Sequence, residues 1–315
     1  MANKIAVITG TSSGFGLFTA VELARQGFEV VATMRDLGRR SYLEEAAARA
    51  GVGAKIDVRK LDVTEFDRIP IFVAEVLGDY KRIDVLVNNA GFAMAGFAED
   101  LQLEEIRLQF ETNFFGAVAM TKAVLPAMRA QKSGHVIMLS SVGGQHGSPV
   151  ISSYSASKHA LEGWSESLRL EVGSLGIKVV LIEPGAFQTD MFSHCAGSWQ
   201  HQEPERAQTW FNASDPAGEV RWARGALASL DHRRRGQSLR TSQEYARHLT
   251  SESHQHGDDD QAGQSQAGDK GEGALHGVDV KVLVVTMLDV HERPHGNLLW
   301  AARFKPGPSS SPPKF

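Results

Sequence analysis

The stretch Ile5-Ala6-Val7-Ile8-Thr9-Gly10-Thr11-Ser12-Ser13-Gly14-Phe15-Gly16 decides the fold. A short β-branched run passes directly into a turn with three glycines, and a helical pattern over Gly14–Gln26 follows. Gly10 permits a tight turn, Gly14 lets backbone approach a pyrophosphate, and Gly16 lets the helix close on a sheet. The helix N-terminus then offers free N–H groups and a positive dipole end to phosphates. Ser12 and Ser13 join the three glycines as candidate nucleotide-binding residues. Glycines alone would say little, since loops are rich in them. Placed between a strand and a helix, they form a dinucleotide-binding signal.

Outward from this turn, the same alternation continues to about Pro184. Apolar runs at Ile5–Thr9, Glu29–Thr33, Lys55–Asp62, Ile83–Asn88, His135–Ser140 and Lys178–Glu183 lack polar alternation. That is the pattern of strands buried on both faces of a parallel sheet. Helical patterns separate them at Arg40–Ala50, Phe66–Tyr80, Leu103–Ala130 and Tyr154–Ser174. The alternation predicts an α/β fold, a Rossmann-like doubly wound parallel sheet. Pro126, late in the fourth helix, predicts a kink or a local break there.

The strand ends carry further candidates. The second strand ends Val31-Ala32-Thr33-Met34-Arg35, where a carboxylate would accept ribose hydroxyls and favour NAD. Arg35 suits a 2′-phosphate instead, so NADP is favoured over NAD, although Asp36 follows directly and Arg35 can also be read as a solvated loop residue. Asp62, ending the third strand, is placed to accept from an adenine amino group. Asn88-Asn89-Ala90-Gly91 brings small and amide residues to the end of the fourth strand, the region where open α/β sheets bind ligands.

Tyr154-Ser155-Ala156-Ser157-Lys158 carries the chemistry. Four residues apart on a helix, Tyr154 and Lys158 project from one face. An ammonium beside a phenol stabilises phenolate and lowers the tyrosine pKa towards working pH. Such a tyrosine can give a proton to a carbonyl oxygen or take one from an alcohol. Ser141, ending the fifth strand, offers a hydroxyl to the reacting oxygen.

With these residues in view, the chain resembles the short-chain dehydrogenase/reductase superfamily over about residues 1–193. The motifs that carry the resemblance are TGTSSGFG at 9–16, NNAG at 88–91, Asn113, Ser141, YSASK at 154–158 and PGAFQT at 184–189, in the family's order. The resemblance implies Tyr154 as general acid/base, with Lys158 lowering its pKa and holding the nicotinamide ribose. It implies that Ser141 orients the carbonyl, and that Asn113 keeps a water linking Lys158 to solvent. It places Asp62 on the adenine, Asn89, Ala90 and Gly91 beside the cofactor, and Thr189, after Pro184 and Gly185, at the nicotinamide amide or the phosphates. The run ATMRD is similar to members acting on steroids, retinoids or other apolar carbonyls. A homodimer or homotetramer through the fourth and fifth helices is implied by the same analogy.

Composition sets the outer bounds. A net charge of -4 gives no reason to expect nucleic acid or an anionic membrane as partner. One cysteine, Cys195, excludes an intramolecular disulfide framework and fits a reducing compartment. With no secretory pattern and no apolar stretch of membrane-spanning length, the reading is cytoplasmic. The expected organisation is a Rossmann core over 1–195, a divergent region over 196–250 and a low-complexity tail over 251–315. The last isoleucine is Ile182, and Gly, Ser, Gln, Asp and His crowd Ser251–Gly277. This final third reads as an altered ending on a conventional core. Val278–Leu288 is read as a substitute seventh strand, a buried segment or an exposed edge. His254 and His256 beside Asp258-Asp259-Asp260 read as a solvated linker, not as a metal site, and His232–Arg235 as a solvated patch. A rival reading of the whole is a nucleotide-binding protein without turnover, its substrate lobe altered.

Overall fold

The computed structural model of the protein describes residues 3–185. Thr189, Cys195, the regions 196–250 and 251–315, the run Val278–Leu288 and the His/Asp and His/Arg clusters lie outside the described residues.

Six parallel strands form one sheet in the order β3-β2-β1-β4-β5-β6. They are β1 (Ile5–Ile8), β2 (Glu29–Met34), β3 (Ile56–Lys60), β4 (Val85–Asn88), β5 (Gly134–Leu139) and β6 (Ile177–Ile182). The helices are α1 (Gly14–Arg25), α2 (Ser41–Arg49), α3 (Arg68–Tyr80), α4 (Leu103–Phe110), α5 (Gly116–Gln131) and α6 (Ser152–Val172). This is the Rossmann-like doubly wound sheet that the alternation predicts. Every residue of β1 and β4 is buried, because helices cover both faces. β3 differs: its residues Ile56-Asp57-Val58-Arg59 are half-buried, since it forms a sheet edge.

Two apolar layers sandwich the sheet. On one face Phe72, Val76, Met120, Val124, Met128 and Leu161 pack beneath α3, α5 and α6. On the other, Leu17, Ala20, Leu23 and Leu43 seat α1 and α2. The strand order reverses beside β1, whose register pairs Val7 with Val31 of β2 on one side and Leu86 of β4 on the other. A crevice therefore opens beyond the C-terminal ends of β1 and β4, the place where such sheets hold ligands.

The predicted helix over Leu103–Ala130 is interrupted, but not at Pro126. Pro126 lies inside α5, which runs through it to Gln131. The irregularity comes earlier, where Glu111–Phe115 form a π turn between α4 and α5. Such a turn adds a residue to the helical circuit and re-aims its side chains, and it is common at functional sites. β3 and β5 also end earlier than predicted. Asp62 lies two residues beyond β3, and Ser141 two residues beyond β5. Both residues are on loops, with their polar side chains free of a sheet ladder.

Candidate active site

The glycine turn is built as its sequence requires. Gly10 takes φ +71 and Gly14 φ +56, left-handed values that side chains resist. Gly16 has no room for a side chain: a Cβ there would lie 2.3 Å from the Gly10 carbonyl oxygen and 2.4 Å from Asn89 Nδ2. Asn89 holds this turn from β4, its amide donating to the carbonyls of Thr9 and Gly10 at 2.8 Å each. Thr9 answers from β1, its hydroxyl accepting from the backbone N–H of Asn89 and of Ala90 at 3.0 Å. Ser13 occupies the N-cap of α1 without a side-chain capping bond. The first N–H groups of α1 thus keep their donor capacity beside half-exposed Ser12 and Ser13.

Arg35 is exposed just past β2 and takes part in none of the ion pairs among the described residues. Its neighbour Asp36 is occupied: Oδ1 accepts from Gly38 N at 2.8 Å and caps a short turn. Asp62 uses one oxygen, Oδ1, to accept from the backbone and hydroxyl of Thr64 at 3.0 and 2.7 Å. Gly91 sits close above Asn113, where a Cβ would meet Asn113 Oδ1 at 3.1 Å. Left-handed glycines, a cradle that a Cβ would fill, an uncapped helix start and an uncommitted guanidinium fit a phosphorylated dinucleotide.

The second half of the site lies on α6. Tyr154 and Lys158 are both buried, with Lys158 Nζ 5.8 Å from the centre of the phenol ring. Lys158 Nζ donates to the Leu139 carbonyl at 2.5 Å, at the end of β5. Burial lowers its pKa to about 8, an effect that Glu162 partly opposes. The phenol departs from expectation. Burial pushes the Tyr154 pKa up, and hydrogen bonding with Ser141 offsets only part of the rise. In this arrangement desolvation outweighs the Ser141 hydrogen bond, so the phenol lies above its ordinary range and not below it as the spacing predicts.

Ser141 opens a short turn after β5, and its Oγ accepts from Gly143 N at 3.1 Å. Asn113 is buried on the π turn. Its Oδ1 accepts from Phe92 N at 3.0 Å, and its Nδ2 donates to Phe92 O at 3.0 Å and to Ser157 Oγ at 3.1 Å. Both amide hydrogens are engaged, and the side chain clamps the loop after β4 to α6. Pro184 and Gly185 follow β6, where Pro184 O accepts from Val142 N at 3.1 Å.

Residues 4–197 match the short chain dehydrogenase family. The chain belongs to that family. It is 48% identical over 193 residues to an uncharacterized oxidoreductase, YusZ, of Bacillus subtilis, a match covering 61% of this chain and 68% of the relative. It is 43% identical over 192 residues to human retinol dehydrogenase 8, covering 60% of each. Among solved structures, a metagenomic short-chain oxidoreductase in complex with NADP superposes with a TM-score of 0.55 at 32% identity, covering 59% of this chain and 83% of that one.

Within this short-chain dehydrogenase frame, the fold brings together Gly10, Ser12, Ser13, Gly14, Gly16, Asn89, Ala90 and Gly91 at the crevice, and Asn113, Ser141, Tyr154 and Lys158 beside it. Thr189 lies outside the described residues. Sequence reasoning missed Gln109, which is fully buried and clamps the loop after β4 through Met94 N at 2.8 Å and Phe92 O at 2.5 Å. A glutamine on a helix carries no signal for such a partner. It also missed Glu162, whose signal was available: it extends the Tyr154–Lys158 spacing by four more residues.

Proposed function

We propose that the protein is an NADP(H)-dependent oxidoreductase acting on an apolar carbonyl or alcohol, with Tyr154 as the proton-transfer residue. The observation that carries this reading is the juxtaposition of buried Tyr154 and Lys158 and half-buried Ser141 with the glycine cradle at the sheet's reversal point. NADPH, when bound, supplies the hydride to the carbonyl carbon. Tyr154 gives its phenolic proton to the carbonyl oxygen as charge develops there, and recovers it afterwards. Ser141 holds that oxygen against the phenol. Lys158 holds the nicotinamide ribose and, while charged, stabilises the phenolate left behind. Asn113, on the π turn beside α6, keeps the water that links Lys158 to solvent. In the reverse direction each proton runs the other way.

Arg35, exposed at the end of β2 and in none of the ion pairs among the described residues, supports NADP over NAD. The similarity to retinol dehydrogenase 8 supports an apolar substrate. Exposed Leu103, Leu108 and Phe115 along α4 and the π turn support a homodimer through these helices. No helix among the described residues is long and apolar enough to cross a membrane, and no cluster of metal-ligating side chains occurs among them. The single cysteine supports a cytoplasmic setting.

The test follows NADPH and NADH binding by cofactor fluorescence, then NADPH oxidation with a panel of apolar ketones and aldehydes. Binding of NADPH, turnover with at least one carbonyl, and a loss of about 100-fold or more in Tyr154→Phe with binding retained is the expected result. Binding without turnover on any carbonyl favours a nucleotide-binding protein that has lost its reaction. Sedimentation showing only monomer at micromolar concentration overturns the dimer.

A further inference from the structure

Tyr154 and Lys158 do not end their stripe on α6. Glu162 follows four residues later on the same face and is 5% exposed. Its carboxyl presses on the turn that follows β5. A Cβ on Gly144 would lie 3.0 Å from Glu162 Oε1, 3.1 Å from Glu162 Cγ and 2.6 Å from Ser140 Oγ. Gly143 is pressed in the same way, 3.3 Å from Tyr154 Cε1 and 3.5 Å from Ser141 Oγ by the same measure. Two glycines therefore let one turn lie flat on α6, Gly143 over Tyr154 and Gly144 over Glu162, with Ser141 at its start. The turn is moored on its other side to the end of β6. Ser140 N donates to Ile182 O at 2.8 Å, and Gln145 Nε2 to Glu183 Oε1 at 3.3 Å.

Neither oxygen of Glu162 has a hydrogen-bond partner among the described residues, and Ser140 Oγ beside it has none. A carboxyl buried this way is a cost to folding. Tertiary stability does not account for it, whereas its place between Lys158 and the Ser141 turn does. We propose that Glu162 is a positioning residue for the reaction, supporting from beneath the turn that aims Ser141 and supplying the counter-charge that keeps Lys158 protonated. This rests on the oxidoreductase reading above and deepens it.

The charged groups that face Glu162 are Lys158 and Glu166 on α6 and Glu183 after β6. Burial raises the Glu162 pKa to about 7; Ser140, close by but out of hydrogen-bond alignment, opposes this, Glu183 and Glu166 add to it, and Lys158 opposes it. Lys158, lowered by burial to about 8, is held up by Glu162 in return. The two groups thus titrate as a coupled pair. Between these values an ionised Glu162 faces a charged Lys158, and below about 7 Glu162 takes up a proton and the counter-charge is lost.

The test is the Lys158 titration, followed by NMR of lysine labelled at the side-chain carbon next to the amine, assigned with Lys158→Met. In Glu162→Gln the Lys158 midpoint moves down, and in Glu162→Asp, which keeps a carboxylate, it returns towards wild type. The activity arm uses the same proteins. The acid limb of the kcat/KM profile moves in Glu162→Gln, kcat falls, and NADPH affinity stays within about twofold of wild type. A Lys158 midpoint and a pH profile that superimpose on wild type overturn the proposal. Lys158 shifting while no protein, wild type included, turns over any carbonyl leaves Glu162 coupled to Lys158 and overturns the oxidoreductase reading instead. If Glu162→Gln does not fold, the wild-type Lys158 curve decides: a biphasic titration supports the coupling, and a single-step curve overturns it.

Discussion

Asn113 Nδ2 donates to Ser157 Oγ at 3.1 Å, tying the π turn to α6 at the residue directly before Lys158. The Ser157 hydroxyl passes the bond on, donating to the Tyr154 carbonyl at 2.7 Å. Both residues are buried, and the other end of the Asn113 amide grips the Phe92 backbone. The loop after β4 and the helix carrying the reactive pair therefore share one polar clamp, and the π turn supplies the extra residue that lets Asn113 reach both.

Asn113→Ala takes the acceptor from the half-buried Phe92 N–H and one of two partners from the buried Ser157 hydroxyl, and an unsatisfied buried group costs about 1–3 kcal/mol. Ser157→Ala removes one acceptor and is expected to cost less, about 1 kcal/mol. Because the two side chains touch, the double variant falls short of the sum by about 0.5–1 kcal/mol. Urea unfolding of the four proteins checks this; strict additivity would show that the clamp carries no coupling.

Two glycines make opposite predictions. Gly16→Ala places a Cβ 2.3 Å from a backbone oxygen, which cannot rotate away, so overpacking costs about 1–3 kcal/mol and NADPH binding weakens with it. Gly78 lies inside α3, and a methyl group added there would have nothing within 4 Å, so Gly78→Ala gains about 0.5–1 kcal/mol from helix propensity alone. Thermal unfolding and cofactor fluorescence read both. Equal effects of the same sign would contradict the packing described around Gly16.

Arg35 makes the cofactor prediction. A hydrogen bond to a charged group is worth about 1.5–3 kcal/mol, so Arg35→Ser is expected to weaken NADPH binding by about 10- to 100-fold. NADH, which lacks the 2′-phosphate, should bind the variant and wild type alike. Fluorescence titration with both nucleotides checks it, and a parallel loss for NADH would assign Arg35 to the fold of the loop instead.

The architecture was legible because the sheet is buried on both faces. Runs such as Ile5–Ile8 and Val85–Asn88 carry no polar alternation, and Gly10, Gly14 and Gly16 announce the turn between strand and helix. Tyr154 and Lys158 were legible for a related reason, since spacing on a helix fixes a common face. Three features were not. The π turn at Glu111–Phe115 carries Asn113 to partners at Phe92 and Ser157, distant in sequence, and no local residue encodes those contacts. The role of Asp36 was hidden too, because a sequence does not reveal that its Oδ1 caps the short turn at Gly38. The direction of the Tyr154 shift depends on how deeply the phenol is buried, and its neighbours in sequence do not say.

The buried pair on α6 gives stability an unusual pH dependence. Glu162 has a folded pKa of about 7, above its unfolded value of 4.5, so the folded state binds the proton more tightly. Its contribution is fully present below 4.5 and is lost as pH rises through 7. Lys158 runs the other way: its folded pKa of about 8 lies below the unfolded 10.5, so the unfolded chain binds more protons between these values and stability rises with pH across them. Together the two groups predict a shallow minimum in Tm between pH 7 and 8. Glu162→Gln removes the acid-side slope and Lys158→Met the alkaline one, each leaving the other limb in place. Scanning calorimetry from pH 5 to pH 10 measures this; an unchanged acid-side slope in Glu162→Gln would mean that other carboxyls govern it and that the Glu162 carboxyl titrates near its ordinary range.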